Sequence, residues 1–186
     1  VLMGLARGEC VADVARRLGK EPSKVARAVE VLAKSLGHRD PPGSRAGVRR
    51  VTVHADGAAR GNPGRAGIGW VIQERGETLL EGGRYIGTAT NNVAEYEAVL
   101  AALEQALELG ASEVEVELDS ELIVRQIEGV YRVKNAKLIE RYGRLKTLIG
   151  RFSRCTVRHV PREQNRRADQ LAKKAIDGAA KEVASG

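Results

Sequence analysis

The order in which strand-like and helix-like segments follow one another after Val51 constrains this chain more than any other feature. Val51–Asp56 is a short run rich in β-branched residues, and a glycine-rich stretch, Gly57–Gly64, reads as the turn that ends it. Gly67–Gln73 and Thr78–Ile86 read as two further strands, joined by a hairpin at Arg75-Gly76. Ala94–Leu109 has helical periodicity, with Val99, Leu103, Ala106 and Leu107 inward and Gly110 placed to end it. Val114–Asp119 alternates Val and Leu with Glu and reads as a strand. Glu121–Glu128 and Ala136–Ile149 read as helices, Cys155–Val160 as a last strand and Arg167–Lys181 as a last helix. The order is βββαβααβα. A three-strand meander followed by strands reached through helical crossovers specifies an α/β fold, a mixed five-stranded sheet flanked by helices.

The core of such a sheet must be aliphatic, because hydrophobic residues make up 42% of the chain but aromatic ones only 3%. Trp70 lies on a predicted strand and reads as a core residue. No apolar run approaches the ~20 residues that span a bilayer. Arg7 and Glu9 interrupt the apolar start where a signal peptide would need continuity, so a cytoplasmic protein with no membrane partner is expected. Cys10 and Cys155 make neither a disulfide framework nor a zinc site, and read as small buried hydrophobes.

Upstream of this domain, residues 1–36 read as a small helical extension, helix-turn-helix-like in outline. Val11, Val14, Ala15 and Leu18 share one helical face, Gly19 stops that helix, Pro22 starts the next, and Val25, Ala28, Val29 and Leu32 form a second face. Basic residues on the second helix suit phosphate contacts, and a protein-binding appendage is the alternative. Residues 37–50, with Pro41-Pro42 and several glycines and arginines, read as a linker to a domain at 51–180.

Charge is unevenly distributed. Residues 1–50 hold 11 basic and 5 acidic side chains, residues 51–150 hold 11 and 15, and residues 151–186 hold 9 and 4. Basic flanks suit a polyanion, and an acidic middle suits carboxylates that gather around cations. Lys134, Lys137, Arg141 and Arg144 alternate with apolar residues and read as one solvated helix face.

Four acids stand where a mixed sheet brings distant segments together. Asp56 and Asp119 end strands, and Glu95 and Asp169 lie in the first turns of helices. Each alone has an ordinary explanation in capping or in the helix dipole. Together they form a repelling set that a divalent cation offsets, and oxygen-only ligands suit Mg²⁺ or Mn²⁺. A pair of such ions about 3.5–4 Å apart activates a water and stabilises the leaving oxygen of a phosphodiester. Ser120, next to the third acid, reads as a helix cap whose backbone also reaches substrate.

The segments around these acids carry a family resemblance. Asp56-Gly57-Ala58-Ala59-Arg60-Gly61-Asn62-Pro63-Gly64, Thr90-Asn91-Asn92-Val93-Ala94-Glu95-Tyr96 and Leu118-Asp119-Ser120 resemble, in order, the motifs of the type 1 ribonuclease H family. His159-Val160-Pro161-Arg162-Glu163-Gln164-Asn165, leading to Ala168-Asp169-Gln170-Leu171-Ala172, resembles the family's ending. The resemblance implies the βββαβαβα ribonuclease H-like fold. It implies an endonuclease that hydrolyses the RNA strand of RNA–DNA hybrids with Mg²⁺ (Mn²⁺ as a substitute), acting as a monomer. The metal ligands it implies are Asp56, Glu95, Asp119 and Asp169. It implies RNA contacts through Asn62, Asn91 and Asn92, with Gly57, Gly61 and Gly64 letting backbone approach the sugar-phosphate. Asn91 and Asn92 are equally suited to cap the helix that carries Glu95. A basic protrusion is lacking, as in the short, archaeal-like branch of the family. Many members place a mobile histidine before the last acid; here His159 lies well upstream, and Arg162 is nearer, so both are auxiliary candidates. A related nuclease of double-stranded RNA or DNA and a non-catalytic nucleic-acid-binding regulator are the competing functions.

Overall fold

A computed structural model of the protein describes residues 48–184, and side chains as far as Ala180. The expected extension at 1–36, Cys10 and most of the expected linker lie outside the described residues. The linker gives way one residue early: Arg50 already belongs to the first strand, and the Arg49 carbonyl accepts from the N–H groups of Ser112 and Glu113 at 3.0 Å.

The elements follow the expected order. They are β1 (Arg50–Gly61), β2 (Gly64–Glu74), β3 (Glu77–Ala89), α1 (Asn91–Glu108), β4 (Glu113–Leu118), α2 (Glu121–Ile127), α3 (Ala136–Ile149), β5 (Arg154–His159) and α4 (Arg166–Ala184). A single 3₁₀ turn, Arg162–Gln164, precedes α4. The sheet runs β3-β2-β1-β4-β5, with β1–β2 and β2–β3 antiparallel and β1–β4 and β4–β5 parallel. The fold is the ribonuclease H-like mixed sheet. No helix among the described residues is long and apolar enough to cross a membrane.

One expectation fails in an instructive way. Gly57–Gly64 is not a turn: β1 runs on to Gly61, and only Asn62 and Pro63 separate it from β2. Gly57 serves packing, while Gly61, with φ 99°, and Gly64 close the short turn. A Cβ on Gly57 would stand 2.1 Å from the backbone of Ala94, so α1 lies directly on β1 there. On the opposite face, a Cβ on Gly69 would stand 2.2 Å from the Ala168 carbonyl of α4. Small residues thus let a helix approach each face of the sheet at the level where the acids meet. The expected tight turn at Arg75-Gly76 is present, and both of its residues have positive φ, 54° and 84°, as a two-residue hairpin of this kind requires.

Helix α1 buries its apolar side, including Val99, Leu103 and Ala106, on β1 and β2. Leu107, expected inward, is half-buried at the margin. Trp70 packs its indole over Gly82 and joins the core. Helix α4 covers β1, β2 and β3 from the other side, and α3 packs on α1. The expected solvated face of α3 is partly a clasp. Lys134, Lys137 and Arg144 are exposed, but Arg141 is half-buried and its Nε donates to Glu97 Oε1 of α1 at 2.8 Å. Cys155 is half-buried rather than buried, and its thiol is pushed up to about 11 by desolvation, which leaves little nucleophilic thiolate.

Candidate active site

The parallel pairing of β1 and β4 fixes two of the four acids. The last pair in register is His54 with Glu117, so Asp56 and Asp119, each two residues further on, stand side by side where the β1–β4 pairing ends; Asp119 follows the end of β4 as expected, but Asp56 lies within β1, which continues to Gly61 beside β2 alone. Asp56 lies opposite Gly69 of β2 and therefore on the face that α4 covers, which carries Asp169 in its first turn. Glu95 lies one turn further into α1 than expected, because the helix begins at Asn91 and has no acid in its first turn, and it approaches from the other face. Its backbone N–H lies 2.2 Å from where a Gly57 Cβ would be, so the glycine permits that approach.

Each carboxylate except Asp56 has a donor. Glu95 accepts from Asn91 Nδ2 at 3.0 Å and from the Ser120 hydroxyl at 3.0 Å. Asp119 accepts from Asn165 Nδ2 at 2.6 Å. Asp169 faces two cations, Arg162 at 3.2 Å and Lys173 at 2.7 Å. Asp56 has none and instead faces the charges of Asp119, Asp169 and Glu95.

The electrostatics follow. Burial, then the charges of Asp119, Asp169 and Glu95, push the Asp56 carboxyl up to about 8. Burial also raises Glu95; the Ser120 hydroxyl partly offsets this, and Asp119 adds to it. Burial pushes Asp169 up as well, but the bonds and charges of Lys173 and Arg162 outweigh it and hold its carboxyl below the usual range. Among the described residues, no three His, Cys, Asp or Glu side chains stand in a ready-made metal-ligand geometry. The donor set nevertheless fits a hard cation. It offers only oxygens, it is partly buried, and burial and the neighbouring acids disfavour the ionised form of Asp56, which an added positive charge would favour.

The remaining predicted residues fall around this cluster. Arg162 reaches it, through Asp169. His159 is exposed at the end of β5, with Nε2 3.3 Å from the backbone carbonyl of Asp119 and no carboxylate partner. Asn62 and Asn91 are joined, the Asn91 N–H donating to Asn62 Oδ1 at 3.1 Å, and both are exposed beside the acids. Asn92 is half-buried. Neither Asn91 nor Asn92 caps α1: Thr90 does, in extended conformation, its hydroxyl accepting from Val93 N–H at 3.3 Å. Ser120 precedes α2 but makes no side-chain cap bond, because its hydroxyl is turned to Glu95. A groove of about 810 Å³, lined in part by Pro63, Thr88, Thr90, Val93, Asn135 and Lys137, adjoins the Asn62–Asn91 pair.

Asn165 and Lys173 were missed. The spacing of Asp169 and Lys173, four apart on a helix, is a readable ion-pair signal. Asn165 gave no such signal, since its partners, Ala55 and Asp119, are distant in sequence.

Comparison with known proteins gives a consistent result. Residues 54–175 match the family model described as "Reverse transcriptase-like". The chain is 44% identical over 131 residues to a ribonuclease HI of Halobacterium salinarum, covering 70% of this chain and 66% of that protein. It is 43% identical over 138 residues to a protein of Mycobacterium tuberculosis named as bifunctional, covering 73% of this chain but 38% of that one. The chain thus spans only part of these relatives' length. Among solved structures, a ribonuclease H1 in complex with an RNA/DNA hybrid matches with a TM-score of 0.67 and 48% identity, over 70% of this chain and 99% of that one.

Proposed function

The chain belongs to the ribonuclease HI family, and on that premise we propose that it is an endonuclease hydrolysing the RNA strand of RNA–DNA hybrids. In this reading Asp56, Glu95, Asp119 and Asp169 hold divalent ions, Mg²⁺ first and Mn²⁺ as a substitute. The observation that carries it is Asp56: a carboxyl set against three others and raised to about 8, which a cation would return to its ionised form. When bound, a pair of such ions supplies an activated water and offsets charge on the leaving oxygen.

The protein's own groups have distinct parts in this scheme. Asp56 would hold a cation as the ionised carboxylate. Asp169 would hold one in place of its present partners, Lys173 and Arg162. Asn62, Asn91 and Asn92 meet the RNA strand, where amides donate to and accept from 2′-hydroxyls and so require ribose. Asn91 also bonds Glu95, which links the sensing of ribose to the placement of a ligand. Gly57 keeps α1 against β1 so that backbone lies close to substrate. Ser120 steadies Glu95. Arg162 acts through charge, because a guanidinium does not give up its proton. His159 is solvent-facing, at the margin of the cluster, in a position to carry a proton to or from solvent. The same reading has the protein act as a monomer in the cytoplasm, with residues 1–36 assisting through nucleic acid or a protein partner.

The test is a panel of matched RNA–DNA hybrid, double-stranded RNA and double-stranded DNA, each with Mg²⁺ and with Mn²⁺. Cleavage of the RNA strand of the hybrid alone is the expected result. Cutting of either other duplex at the same rate would transfer the protein to the related-nuclease reading. Tight binding without turnover would make it a regulator.

A further inference from the structure

We propose that Asn165 is a positioning residue that holds Asp119 in its ligand orientation and ties three of the four acids into one unit. The inference rests on the reading of those acids as a metal site. Asn165 is 1% exposed. Its Nδ2 donates to two oxygens at once, the Ala55 carbonyl at 3.0 Å and Asp119 Oδ1 at 2.6 Å. Since both partners only accept, the amide cannot be turned over without setting its oxygen against two others. Its backbone carbonyl accepts from the Asp169 N–H at 3.2 Å. One residue therefore touches the neighbour of Asp56, the carboxylate of Asp119 and the backbone of Asp169.

The rest of the side chain argues that the donor is the reason for the amide. Asn165 Oδ1 is buried and has no hydrogen-bond partner. A leucine would fill similar space without stranding an oxygen, so the position makes sense only for what Nδ2 does. Neutrality matters as much. A lysine here would offset the charge that attracts a cation, and an aspartate would add a fifth carboxylate. The amide fixes Asp119 and leaves its charge intact. Groups that orient a ligating side chain in this way are worth about 10- to 100-fold in metal affinity.

The experiment measures Mn²⁺ binding by calorimetry, without substrate, on the full chain and on Asn165→Leu, Asn165→Ala and Asp119→Asn, with circular dichroism as the check on folding. Asn165→Leu fills similar space, stays neutral and loses the donor; Asn165→Ala loses both the donor and the volume. Both are expected to fold and to bind Mn²⁺ about 10-fold more weakly or worse. In hybrid cleavage, kcat is expected to fall and to recover in part with excess metal, with KM for the hybrid unchanged. Wild-type affinity in both variants would overturn the proposal. So would failure of both to fold, since that would assign Asn165 to the fold alone. If the wild-type chain binds no Mn²⁺, or Asp119→Asn binds as well as wild type, the metal-site reading itself fails, which is a distinguishable result.

Discussion

Asp56, within β1, and Asp169, in the first turn of α4, come from opposite ends of the domain, and the Asp169 carboxylate is one of three charges that add to burial in raising the Asp56 carboxyl. A divalent cation held by this set would offset that repulsion.

The consequence for pH follows from the sign of the shift. Asp56 is raised from 3.8 to about 8 in the folded state. Below about pH 4 it is protonated in both folded and unfolded chains, so it costs nothing. Between about 4 and 8 the unfolded chain ionises while the fold keeps the proton, and stability falls as pH rises. The lowered Asp169 works in the opposite direction, but at lower pH. Without metal, wild type should therefore lose stability relative to Asp56→Asn between pH 5 and 9, by at most about 4 kcal/mol. Adding Mg²⁺ should raise the melting temperature of wild type more at pH 8 than at pH 6. Parallel melting curves for the two proteins across this range would contradict the account.

Asp56→Asn and Asp119→Asn should each reduce hybrid cleavage by about 10³-fold or more, a loss excess metal does not restore, because a neutral amide cannot replace an anionic ligand. Circular dichroism should remain that of wild type. Cleavage at normal rate by Asp56→Asn would refute the assignment.

Lys173→Ala should free Asp169 Oδ2, which now pairs with the ammonium at 2.7 Å. Mg²⁺ should then bind more tightly, by a few-fold, and half-maximal cleavage should occur at lower Mg²⁺. An unchanged Mg²⁺ titration would show that Lys173 does not compete with the ions.

Gly57→Ala should be far more damaging than a methyl group suggests. Its Cβ would lie 2.1–2.5 Å from backbone atoms of Ala94 and Glu95, which cannot move aside without lifting α1 from β1. A loss of about 1–3 kcal/mol in denaturant titration, with Glu95 displaced and metal binding weakened, is expected. Wild-type stability in this variant would mean that α1 and β1 are further apart.

What could be read from the sequence depended on the range of each signal. The strands and helices after residue 50 were legible because their patterns are local, and the hairpin at Arg75-Gly76 because two residues dictate it. The four acids were legible through the motifs around them. The passage through Gly57–Gly61 was misread because glycine has the same local meaning in a turn and in a strand pressed by a helix; only the position of α1 separates the two. Ser120 was read as a cap because Glu95, its actual partner, lies 25 residues away in sequence. Asn165 stands out in the sequence only as part of the closing motif, because the segments it bridges lie 110 and 46 residues away.

The central claim, that the four carboxylates gather divalent ions, is tested most directly by a crystal structure with Mn²⁺ and its anomalous scattering. The account predicts anomalous peaks bounded by Asp56, Glu95, Asp119 and Asp169, with Lys173 and Arg162 withdrawn from Asp169. A protein that cuts hybrids in the same Mn²⁺ solution, yet places every peak elsewhere, would contradict it.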